Sequence, residues 1–119
     1  MRTVKVPLAA RSYPIRIGSG LLADLGVQCA RLKLGRRCAV ISDATVARRY
    51  RKPALASLKA AGFEPIFISQ PAGEQAKTLK NVQACYDQLA KHRLERGSFV
   101  VALGGGVVGD LGGFVAATY

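Results

Sequence analysis

"VALGGGVVGDLGGFVAATY", residues 101–119, places six glycines and a single acid, Asp110, in nineteen residues. The run "SFVVAL" (98–103) leads into it as a short apolar strand, and Val107 to Tyr119 reads as the helix that follows. Gly104, Gly106 and Gly109 satisfy G-x-G-x-x-G between strand and helix, the context that a dinucleotide fingerprint requires. Without Cβ atoms the backbone N–H groups of such a turn can approach a pyrophosphate, and the helix N-terminus adds partial positive charge. The pattern departs from the usual fingerprint, which follows the first strand of its unit and has an acid about 20 residues further on. Gly105, Gly106 and Asp110 are therefore read as functional. The plain alternative for Asp110 is an acid that complements the helix dipole. Gly109, Gly113 and Ala117, with Gly112 and Ala116, lie four apart and are read as a small-residue face for close packing.

Working back toward the amino terminus, strands alternate with helices. "RTVKV" (2–6) and "YPIRIG" (13–18) alternate as a strand pair, and Ser19 is expected to cap a short helix carrying Leu21, Leu22 and Leu25. "RCAVIS" (37–42) reads as a buried parallel strand, followed by a helix with Asp43 at its cap position. Pro53 is expected to interrupt that helix or to begin a second one, which Gly62 then ends. "FEPIFIS" (63–69) is the next strand and "QPAGEQAK" (70–77) a loop. Over Thr78 to Arg93, Leu79, Val82, Cys85, Tyr86 and Leu89 recur at helical spacing. This order predicts an α/β domain with a Rossmann-like parallel sheet, helices on both faces, and an amino-terminal strand pair. Ligands of such sheets bind at the carboxyl ends of strands, where the Asp43, 70–77 and Gly104 loops begin.

Composition narrows the class. The chain has 119 residues, 50% hydrophobic and 21% charged, enough for a packed core and too apolar for disorder. Lys and Arg outnumber Asp and Glu by 18 to 7, and the densest basic stretch, Arg31 to Lys52, contains only Asp43 as an acid. That balance suits anionic partners, and it keeps a basic nucleic-acid-binding module open as a competing reading, though no nucleic-acid motif supports it. A membrane span over 98–119 would put Asp110 in mid-bilayer and is set aside. Cys29, Cys38 and Cys85 form no C-x-x-C pair and read as buried thiols of a reducing compartment. His92, the single histidine, reads as a helix-end or solvated residue, so no metal set is expected in these residues. The opening residues lack the apolar core of a secretory signal.

"ALGGGVVGDLGGFVAATY" resembles the glycine-rich segment of the 3-dehydroquinate synthase family, and "PAGEQAKTL" resembles its G-E-x-x-K stretch. "YPIRIGSGLLADLG" and "ISDATV" resemble its opening hairpin and first nucleotide strand, so the likeness runs along the chain in order. Related sugar-phosphate cyclases share the architecture and remain an alternative. The resemblance implies an NAD-dependent, phosphate-eliminating lyase of the shikimate pathway. Its substrate is a phosphorylated seven-carbon sugar acid, 3-deoxy-D-arabino-heptulosonate 7-phosphate, and its products are 3-dehydroquinate and phosphate. It further implies that Asp43, Thr45, Glu74, Lys77, Gly105, Gly106, Val107 and Asp110 contact NAD, with Thr45 departing from the residue often found there. The family's zinc or cobalt ligands lie in a carboxy-terminal helical domain, which is absent from these residues. Residues 1–119 are thus expected to be an NAD-binding domain, truncated and inactive alone, of a cytoplasmic enzyme that is a homodimer when full length.

Overall fold

The apolar run at residues 38–41 forms the middle of the molecule. In a computed structural model, which describes residues 1–119, it lies in β3 (Arg37–Asp43), where Cys38, Ala39, Val40 and Ile41 are fully buried. β4 (Glu64–Gln70) and β5 (Phe99–Leu103) flank β3 in parallel, giving the order β4-β3-β5. Side chains alternate across this sheet, so burial on both faces demands two apolar layers. Ala39, Ile41 and Ile68 pack against Val82, Cys85 and Leu89 of α3 (Leu79–Lys91) and Leu111 and Val115 of α4 (Gly106–Thr118). Cys38 and Val40 face the other way, onto Cys29 of α1 (Leu25–Arg31) and Leu58 of α2 (Ala44–Ala60). β1 (Arg2–Val6) and β2 (Tyr13–Ile17) form the expected antiparallel pair, Val4 opposite Ile15.

Four local expectations need correction. Pro53 lies inside one continuous α2 and neither breaks it nor starts another helix. Its ring is on the solvent side, where the Arg49 carbonyl that loses an N–H can turn to water, while buried Ala54 and Leu58 hold the inner face. Gly62 does end the helix, at φ 92°, with Phe63 N–H donating to the Leu58 carbonyl and Gly62 N–H to that of Lys59. Ser19 caps nothing: the chain turns through Gly20 at φ 71° into a short 3-10 segment, Leu21–Asp24, before α1. Leu79 is 81% exposed because the buried stripe of α3 begins one turn later, at Val82.

The fourth correction concerns the small-residue face. Only Gly112 meets the sheet: a Cβ there would lie 2.9 Å from that of Ala102 in β5, whereas Gly109 and Gly113 face open space. Closer approaches occur elsewhere. A Cβ on Gly26 would come within 2.0 Å of the Ser57 carbonyl, where α1 crosses α2 and the Gly26 N–H donates to Ser57 Oγ at 2.9 Å.

All three cysteines are buried and free. Burial raises the thiol pKa of each, that of Cys38 to about 12, with Cys29 beside it adding to the shift. For Cys85 a hydrogen bond from buried Gln70 offsets part of the effect.

Candidate functional site at the carboxyl ends of the strands

Parallel register brings the carboxyl ends of the three strands level: Asp43 pairs with Gln70 across β3 and β4, and Ser42 with Leu103 across β3 and β5. The chain leaves β3 for one neighbour and returns past it to the other, so the switch of direction falls between β3 and β5. Crevices at such a point are where open α/β sheets bind ligands. Ser42, fully buried, donates from Oγ to the Leu103 carbonyl at 2.7 Å and ties the two strands together there. Sequence reading passed over Ser42; the signal was a hydroxyl closing an otherwise apolar buried run.

Two helices begin at this edge. Asp43 caps α2, its Oδ1 accepting from the Val46 N–H at 2.8 Å. Thr45 stands exposed one residue into the helix, and its side chain makes no hydrogen bond. α4 differs, because Gly105 at its N-cap has no side chain to offer and nothing else caps it. A Cβ on Gly105 or Gly106 would meet no atom within 4 Å, so the space beside this first turn is open, and no side chain caps its N–H groups. Gly104 is confined instead, since a Cβ there would lie 2.8 Å from Val108 Cγ2. Val107 is half-buried beside it.

The third part comes from the 70–77 loop. Gly73 turns at φ 93° into a 3-10 turn, Glu74–Ala76, whose Ala76 is buried. Asn81 pins this turn to α3, donating from Nδ2 to the Ala76 carbonyl at 3.0 Å while Thr78 caps the helix. Lys77 then reaches across to α4: its Nζ lies 2.7 Å from Asp110 Oδ2 and 3.3 Å from Glu74 Oε2. The hydrogen bonds to Asp110, first, and Glu74 raise the Lys77 pKa and keep the ammonium charged. Gly106 and Asp110 are four apart on one helix face, which places this ion group beside the uncapped turn. Lys77, Asp110 and Phe114 also line a hollow of about 310 Å³ between α3 and α4.

Of the eight residues singled out by sequence, the structure thus joins Glu74, Lys77 and Asp110 directly and sets Gly105, Gly106 and Val107 at the same helix start. Asp43 and Thr45 stand apart at the neighbouring helix, with no bonded contact to the Lys77 group. The uncapped turn can hold an anion, and Lys77 can add a charged donor to it. No three His, Cys, Asp or Glu side chains converge anywhere in the chain, so these residues do not fit a metal.

Fold and site together define a Rossmann-like α/β domain with an open, uncapped helix start at the switch point of its sheet. The family profile described as 3-dehydroquinate synthase N-terminal matches residues 67–119. The chain is 50% identical over its full length to the 3-dehydroquinate synthase of Geobacter metallireducens, and 47% to that of Desulforamulus reducens. It spans about a third of the length of each, 33%. Among solved structures, a 2-deoxy-scyllo-inosose synthase complexed with carbaglucose-6-phosphate, NAD+ and Co2+ superposes with a TM-score of 0.85 at 22% identity, over 98% of this chain and 32% of that one. ValA, a 2-epi-5-epi-valiolone synthase of Streptomyces hygroscopicus with NAD+ and Zn2+ bound, superposes at 0.74 with 30% identity, over 96% of this chain and 31% of that one.

Proposed function

We propose that the chain is the NAD-binding amino-terminal part of a 3-dehydroquinate synthase, converting 3-deoxy-D-arabino-heptulosonate 7-phosphate into 3-dehydroquinate and phosphate. The observation that carries this reading is the Lys77–Asp110 contact of 2.7 Å beside the open, uncapped turn at Gly105 and Gly106. Bound NAD would supply a reversible acceptor for hydride. The residues of this chain bind and orient: N–H groups at Gly106 and Val107 would hold the pyrophosphate, and Lys77 would neutralise part of its charge. Asp110 and Glu74 would fix the Lys77 ammonium or turn to the cofactor's hydroxyls, and Asp43 and Thr45 would meet the remainder of the cofactor at α2. Zinc or cobalt would be held by residues outside these 119, because no ligand set forms within them.

Identity of 47–50% to 3-dehydroquinate synthases, against 22–30% to the other cyclases, favours the synthase over its relatives. The basic surface would draw in two anions, cofactor and sugar phosphate, rather than nucleic acid. No helix is long and apolar enough to cross a membrane. In this reading residues 1–119 form one cofactor domain of a cytoplasmic homodimeric enzyme. The test is phosphate release from the heptulosonate substrate with NAD and Zn2+ or Co2+. A chimera joining this chain to the carboxy-terminal two-thirds of the Geobacter metallireducens relative should turn over, and the 119-residue chain alone should not. A folded, metal-loaded chimera that releases no phosphate would sink the reading.

A further inference from the structure

At the opposite end of the sheet, where the strands begin, four cations from three elements converge on a hollow of about 520 Å³: Arg37, Lys59, Lys91 and Arg93. Glu64 is the one acid there, and Arg36 and Arg37 already engage it at 3.5 and 3.6 Å. Lys59, Lys91 and Arg93 have no carboxylate within 4.0 Å. Lys59 and Lys91 occupy last turns of helices, where the dipole alone favours them. Arg93 is different. It follows the His92 cap of α3 at φ 60°, the left-handed position that glycine usually fills, while Leu94 N–H closes the turn on the Leu89 carbonyl. Arg37 Nη1 donates to the Arg93 carbonyl at 3.3 Å, holding that turn against β3. Ala9 and Lys33 share the left-handed φ, and Arg93 is the one of the three that lines this hollow beside other cations without an acid partner.

We propose that this hollow is a second anion site, remote from the carboxyl-end site, for a small organic polyanion bearing phosphate or carboxylate groups. Arg93, Lys59 and Lys91 would supply charge, and Phe63 and Pro65 an apolar wall for the ligand's body. The inference stands on the geometry of the hollow and does not depend on the cofactor assignment. The test titrates ¹⁵N-labelled protein with sodium pyrophosphate, and separately with citrate, at constant ionic strength while following backbone amide shifts. Saturable shifts at residues 37, 59–66 and 91–94 are expected. Tighter pyrophosphate would assign phosphorylated ligands, and tighter citrate would assign carboxylates. Arg93→Gly should raise Tm by relieving the left-handed turn, yet weaken the anion about tenfold. Lys59→Ala should weaken it similarly with Tm unchanged. Shifts that grow without saturation, or are confined to 104–110, would overturn the proposal. So would an Arg93→Gly protein with raised Tm and undiminished affinity.

Discussion

Gly106→Val separates what the fold needs from what a ligand needs. Gly106 opens α4 with an ordinary negative φ, and a Cβ there meets nothing within 4 Å, so valine has room and no backbone strain. Replacing glycine narrows the unfolded ensemble, which favours folding by about 0.4–1 kcal/mol, and the branched side chain gives back part of that. Tm should therefore move by no more than about 3 °C. Binding is another matter, because the valine methyl groups would occupy the space over the first-turn N–H groups. Losing one hydrogen bond to a charged phosphate costs about 1.5–3 kcal/mol, a ten- to 150-fold rise in the Kd for NAD. Calorimetric titration with NAD, paired with a thermal melt, reads both quantities on the same sample. An unchanged Kd in the folded variant would remove the pyrophosphate from this turn. A Tm loss above about 10 °C would show instead that the space is not open.

Lys77→Ala and Asp110→Ala should each weaken NAD about tenfold by calorimetry, the first by loss of a charged donor and the second by releasing it; full affinity in both variants would leave the ion group without a part in binding. Gly26→Ala should destabilise the domain by about 1–3 kcal/mol in urea melts, since its Cβ would sit 2.0 Å from the Ser57 carbonyl. Stability should fall as pH rises past about 9. Burial makes the three thiols hold their protons to higher pH in the folded chain than in the unfolded one, where cysteines ionise near 8.5. Their contribution is complete below that value and, for Cys38, is lost through the window up to about 12, at about 1.4 kcal/mol per pH unit per thiol. A urea midpoint constant from pH 8 to 10.5 would contradict the burial of these groups.

The strand order was legible because apolar runs and turn residues agree. The run at 38–41 suits a strand covered on both faces, and Asp43 announced the helix it caps, whereas the cap at Thr78 was not read from the sequence. Pro53 misled because local sterics were weighed without the two buried residues, Ala54 and Leu58, that hold α2 together from below. Ser19 misled for a local reason, the left-handed Gly20 that moves the helix start beyond its reach. Within the candidate site, the glycine pattern marked Gly105, Gly106 and Asp110, and the family resemblance marked Glu74 and Lys77. Their meeting depends on how far the loop after β4 carries Lys77 toward α4, and Ala76 burial and the Asn81 bond set that distance. Neither has a period or motif. Strain at Arg93 is equally silent in sequence, because an arginine after a helix reads as an ordinary dipole partner.

If the carboxyl ends of β3 and β5, with the uncapped glycine turn and the Lys77 group, receive NAD, a titration of the ¹⁵N-labelled chain with NAD will show it in the backbone amide shifts. Saturable shifts should gather at residues 43–46, 74–77 and 104–110, on the two helix starts and the loop between them. Shifts that never saturate, or that fall only at the amino ends of the strands, would place NAD elsewhere.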